Sequence, residues 1–188
     1  MLEVAWSAEG GTVGQVRPFA PEKLVTGILI SRPKLRVSLL EQLRRSFGEI
    51  DYTSEELPFS YTRYYDREMG TPITRFFVSF APLLDPGTLA QIKIRTNLLE
   101  DGFREAGSRR VNIDPGLLSY SRFLLASSKN GSHRVPLCGG IYAEVTLVYE
   151  KDAYRPLEWT YPDYCSPEYL RILAEVRRLY KMQLSERP

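Results

Sequence analysis

The residues best suited to chemistry cluster around the chain's single histidine, His133. Histidine side chains ordinarily titrate near neutral pH, which suits them to general acid or base work. Glu144 or Asp114 can orient His133 or serve as a second carboxylate. Ser119, Ser121, Ser127 and Ser128 lie in the same stretch, but no Gly-x-Ser-x-Gly elbow presents one as a nucleophile. Against this stand two plainer readings: a lone histidine beside a turn is mostly an exposed polar residue, and Asp before Pro-Gly mostly shapes a turn.

A second constellation is basic. Arg75, Arg110, Lys129, Arg134 and His133 are candidates to hold an anion, with Arg122 and Tyr142 as further ligand-binding candidates. Arginine suits phosphate because two N–H donors match two oxygens. Asn112 and Glu144 would read hydroxyls or base edges. The expected function is therefore binding of a phosphorylated small molecule, a nucleotide or a short RNA on a polar sheet face. One alternative is an enzyme using His133 with Glu144 or Asp114. Another is a protein-interaction module built on the aromatic loops at 61–65 and 159–164. RNA recognition has partial support only: Phe77 and Phe80 share a strand, but Thr74 and Arg75 stand where an RNA-recognition motif needs an aromatic and a glycine. No cofactor is implied. The glycine-rich residues 10–15 lack a following Gly-Lys-Ser/Thr, and one histidine with two distant cysteines makes no zinc site.

These residues must be positioned by strands and helices. Alternation or apolar runs predict strands over 23–31, 49–53, 72–82, 110–114, 119–128 and 141–150. Ser31-Pro33, Asp85-Pro86 and Ser166-Pro167 read as helix starts. The stripes that follow are Leu35, Leu39, Leu40, Leu43 and Phe47; Leu89, Ile92, Thr96, Leu99 and Phe103; and Tyr169, Ile172, Leu173, Val176, Leu179 and Tyr180. Lys93, Asn97 and Glu100 read as a solvent-facing side of the second helix. Asp114-Pro115-Gly116 reads as a turn, residues 129–132 as a type I′ hairpin around Asn130-Gly131, and Gly139-Gly140 as a further break.

The element order gives an α+β fold: a ferredoxin-like βαββαβ core, extended by a C-terminal antiparallel meander and a final helix. With the helices on one side, alternation puts Arg75, Arg110 and Asn112 on the open side. Glu144 and Arg122 join them if the later strands curl round. Residues 1–22 read as a flexible leader that docks through Trp6 or Phe19, and residues 23–188 as one domain.

The 188 residues carry 25 Lys and Arg against 23 Asp and Glu, which excludes bulk electrostatic capture of nucleic acid. Cys138 and Cys165 read as free thiols of a reducing compartment. No apolar run approaches the ~20 residues that span a bilayer, and the start lacks signal-peptide character. A cytoplasmic protein without membrane contact is expected.

The runs RRVNIDPGLLSYSRFLLASSK, HRVPLCGGIYAEVTLVYE and PLEWTYPDYCSPEYL resemble a family of uncharacterised bacterial proteins known only as a domain of unknown function. The resemblance spans about residues 23–184, and VNIDPG, IYAEVTL and WTYPDY are its most specific motifs. Some members of that family carry a GTP-binding label, yet this chain has neither a Walker A motif nor an Asn-Lys-x-Asp base-reading motif. The resemblance implies kinship and no particular chemistry.

Overall fold

The computed structural model describes residues 15–186. Most of the expected leader, Trp6 included, lies outside the described residues. Phe19 is exposed, and the Pro21 carbonyl accepts a hydrogen bond from the Tyr180 hydroxyl.

The strands are β1 (Glu22–Ile30), β2 (Ile50–Thr53), β3 (Leu57–Pro58), β4 (Thr74–Leu84), β5 (Val111–Leu118), β6 (Arg122–Ser127), β7 (Val135–Pro136), β8 (Tyr142–Glu150) and β9 (Ala153–Pro156). The helices among the described residues are α1 (Arg36–Phe47), α2 (Asp66–Met69), α3 (Leu89–Gly102) and α4 (Pro167–Ser185). All strands join one antiparallel sheet in the order β2-β4-β1-β5-β6-β8-β7; β3 pairs with β4, and β9 with β8. Asp85 accepts a hydrogen bond from the Gly87 N–H before α3, and Ser166 caps α4 through the Tyr169 N–H. Ser31 caps nothing; its hydroxyl donates to the Met69 carbonyl and ties β1 to α2.

Both faces of the sheet are covered. Leu39 and Leu43 of α1 and Leu89, Ala90 and Ile92 of α3 pack on Ile28, Phe76, Val78 and Ile113. On the opposite face Tyr169, Ile172, Leu173 and Val176 of α4 pack on Val25, Phe77, Phe123 and Leu147. The continuous burial of β1 follows from this double cover. The expected open side is thus a second interior: α4 roofs it, and Arg75 and Asn112 are buried beneath.

Two turn expectations are corrected. The Asp114-Pro115-Gly116 triplet runs straight through β5. The Ile113 N–H points away from β1 and donates to Glu100 on α3, while the Ile113 carbonyl accepts from Lys93. Pro115 has the same parity, so its missing N–H faces that outer edge and no ladder bond is lost. Gly116 then fits where β6 arrives, because a Cβ there would lie 2.3 Å from the Leu124 carbonyl oxygen. Residues 129–132 form no type I′ hairpin: φ is not positive at Asn130 or Gly131, and β6 pairs with β8 rather than β7. Gly139 and Gly140, at φ of 60° and 75°, make the expected break and turn β7 into β8, while Lys151 and Asp152, at 50° and 61°, turn β8 into β9. Pro136 sits in that short edge strand, where a missing donor is tolerated.

Gly116→Ala should therefore lower stability by about 1–3 kcal/mol in chemical denaturation, the usual range for overpacking. Gly102→Ala, at the end of α3 with open space around it, should be neutral or stabilise by up to ~1 kcal/mol. Equal effects at the two sites would contradict the packing assigned to Gly116.

Candidate functional site

β5 and β6 pair only over Gly116–Leu118, then diverge. Beyond that point the sheet opens into a cleft of about 790 Å³. β5 supplies Asn112 and Asp114, β4 supplies Arg75, and β6 and β8 supply Ala126 and Glu144. α3 contributes Lys93, Asn97 and Glu100. The loop before α2 contributes Tyr61, Tyr64 and Tyr65, and the crossing before α4 contributes Tyr161, Asp163 and Tyr164.

The floor is a buried charge cluster. Arg75 is 2% exposed, yet its two terminal nitrogens donate separately to Asp114 (3.0 Å) and Asp163 (3.2 Å). The rings of Phe59, Phe77, Tyr164 and Tyr169 surround the guanidinium. Gly27 of β1, which pairs with Phe77 and Asp114, lies under the guanidinium; a Cβ there would meet the Arg75 Nη1 at 2.7 Å and the Tyr164 hydroxyl at 2.8 Å. Burial alone would raise the Asp114 carboxyl, but the Arg75 and Lys93 charges overcome it and hold that group below the usual range. At Asp163 burial wins over Arg75, and its carboxyl is pushed up. The two carboxylates on one arginine are thus tuned in opposite directions.

A second network flanks the floor. Arg109 donates to Glu100 (2.9 Å), to the Asn112 side-chain oxygen (2.9 Å) and to Glu68 (2.8 Å). Burial raises the Glu100 carboxyl more than Lys93 and Arg109 lower it. On the far wall the Arg134 Nε donates to Glu144 (2.7 Å), and its Nη2 donates to the Tyr161 hydroxyl (2.6 Å). Lys129 differs: its ammonium stands 4.3 Å from the centre of the Tyr64 ring, and no carboxylate among the described residues pairs with it.

Of the residues singled out from the sequence, Arg75, Asn112, Asp114, Lys129, Arg134 and Glu144 line this cleft. His133 does not. It stacks on Trp159, ring centres 5.5 Å apart, and its Nε2 lies 3.4 Å from the Glu144 carboxylate. Arg110 is drawn elsewhere, to the Met69 carbonyl and Glu105. Arg122 pairs with Glu22 at 2.7 Å, and Tyr142 faces Pro136 and Ser127 in the sheet. Lys93 and Glu100 are buried against β5, contrary to the solvent-facing expectation. Their signal was periodicity: Leu89, Lys93, Thr96 and Glu100 are spaced along one helical face. Arg109 and Asp163 had no such signal, since Arg109 sits outside regular elements and Asp163 in one short 3-10 turn, Pro162–Cys165.

A family model described as Domain of unknown function (DUF4416) matches residues 20–180. The chain belongs to that family. No curated protein and no solved structure matches it. Every cleft-lining residue from Phe59 to Tyr164 falls within the matched span, so the cleft belongs to the family domain itself. Among the described residues no helix is long and apolar enough to cross a membrane.

The raised carboxyls set the sign of the pH dependence. Asp163, Glu100 and Glu22 hold protons more readily folded than unfolded. Folding therefore gains stability as pH falls from neutral toward the ordinary carboxylate range. Asp114 acts oppositely: its stability contribution is present above its unfolded value, ordinarily 3.8, and is lost as pH falls through its lower folded value. The melting temperature should rise modestly from pH 7.5 to about pH 5.5, then fall in stronger acid. Asp163→Asn should flatten the rise. A melting temperature that falls steadily below pH 7.5 would contradict these assignments.

Proposed function

We propose that this domain binds a phosphorylated small molecule of nucleotide size in the cleft between β5 and β6. The cleft itself carries the reading: its volume lies in the range of small-molecule sites, and Tyr61, Tyr64 and Tyr161 stand partly exposed around it. Rings so placed suit stacking on a planar ligand, which stabilises a complex by ~1–3 kcal/mol per base. Lys129 is the cation left to hold an anionic group, because Arg75, Arg109 and Arg134 already serve carboxylates. The charge network is costly to bury and does little for stability that well-packed apolar residues could not do, which favours a functional role.

The acid/base alternative rests on His133, and its position behind Glu144 and against Trp159 favours binding over catalysis. The loops offered for a protein interface turn five of their tyrosines toward the cleft, which again favours a ligand. We further read β1, α1, β2, β4, α3 and β5 as a ferredoxin-like core. The antiparallel order β2-β4-β1-β5, with α1 and α3 on one face, supports that reading. The unbridged, exposed Cys138 and Cys165 support a reducing cytoplasm as its location.

Thermal shift tests the binding reading, with AMP, CMP, ribose 5-phosphate and inorganic phosphate beside the unphosphorylated nucleosides. A bound nucleotide at ~100 times its dissociation constant should add about 2.7 kcal/mol, a rise of roughly 5–10 °C. Lys129→Ala should abolish most of that rise, while Arg122→Ala, remote from the cleft, should keep it. No shift from any phosphorylated compound at millimolar concentration would overturn the reading.

A further inference from the structure

The cleft is electrically polarised. At the floor one cation, Arg75, faces two carboxylates, Asp114 and Asp163, leaving a net negative charge. At the rim Lys129 is a cation without a carboxylate partner among the described residues. Between them Lys93 and Arg109 offset Glu100 and Glu68, and Arg134 offsets Glu144. Asp114 is the accessible member of the floor, with a quarter of its side chain exposed against 8% for Asp163. Arg75 occupies its Oδ2 and fixes the carboxylate in place.

We propose that Asp114 reads a ring-borne amino group of a nucleoside monophosphate whose phosphate is held by Lys129. This assignment rests on the binding reading above. An ionised carboxylate only accepts hydrogen bonds, so it favours an exocyclic amine and opposes an exocyclic carbonyl oxygen. The charges of Arg75 and Lys93, which outweigh the effect of burial, keep Asp114 ionised at neutral pH. One unpaired cation at the rim matches one phosphoryl group rather than a chain of them. Asn112 lies on the same strand two residues away, with its oxygen fixed by Arg109. Its amide nitrogen is buried and lies beside Asp114, where it helps hold that carboxylate ionised. A partly exposed carboxylate with one oxygen held by Arg75 matches an exocyclic amine, which adenine and cytosine carry and hypoxanthine and uracil lack.

Isothermal titration of the full chain compares two pairs that exchange amine for carbonyl: AMP with IMP, and CMP with UMP. The amino member of each pair should bind about 10–100-fold more tightly, as expected for a hydrogen bond to a charged group. Asp114→Asn should erase the preference while monophosphate binding persists. Lys129→Ala should weaken every ligand by a similar factor and leave the preference intact. Equal affinity of wild-type protein within both pairs would overturn the role of Asp114 and leave the binding reading standing. Absence of binding by all four would remove the binding reading and this assignment with it. The wild-type ratios need no variant, so they decide the matter even if Asp114→Asn proves unstable.

Discussion

The buried guanidinium of Arg75 is the constraint around which the rest of this structure is arranged. It reaches from β4 across the middle of the sheet, binds Asp114 on β5, and binds Asp163 in the turn before α4. One side chain therefore joins two core strands to the C-terminal crossing. Its burial dictates other residues. A side chain on Gly27 would collide with it, so the central strand must carry a glycine there. The rings of Phe77, Tyr164 and Tyr169 replace the water it loses with their negative faces. Removing one partner of such a buried pair costs about 3–5 kcal/mol, because the other charge is left unpaired.

The same constraint explains why α4 lies where it does. Asp163 closes the ion cluster, Ser166 caps the helix three residues later, and the helix then runs over Val25, Phe77 and Leu147. At its far end Gln183 meets Lys23, whose buried ammonium is also held by Asp51 and the Phe80 carbonyl. Polar contacts thus fix the two ends of the helix, and apolar packing supplies the adhesion between them. The polar anchors set register, which a smooth apolar stripe alone leaves free.

Much of the core could be read from the sequence because its rules are local. Alternation placed Phe76 and Val78 opposite Arg75, and the caps at Asp85 and Ser166 announced their helices. What failed was non-local. The face carrying Arg75 looked open because nothing local says that residues 167–185 return to cover it. Asp114-Pro115-Gly116 looked like a turn because its turn chemistry is strong. It is a strand because α3 supplies Lys93 and Glu100 to the edge where β6 is missing. The cleft itself was half visible: Arg75, Asn112, Asp114, Lys129, Arg134 and Glu144 were singled out, while Arg109 and Asp163 needed tertiary contacts to be found.

The place where β5 and β6 part is where a sheet normally fails, since an unpaired edge invites another strand. Here the edge is closed three ways. Glu100 and Lys93 satisfy the outward groups of Ile113, Pro115 has no donor to offer, and the loop from Phe59 to Tyr65 crosses in front. A gap sealed against strand addition, yet still holding about 790 Å³, is a cavity that the fold keeps open. Apolar collapse would have closed it at lower electrostatic cost. The ion pairs are what prevent that collapse. Arg75 braces both carboxylates at the floor, Arg109 braces Glu100 and Arg134 braces Glu144, so the walls cannot approach without stripping charges of their partners. The fixed charge pattern and the open volume therefore have one origin.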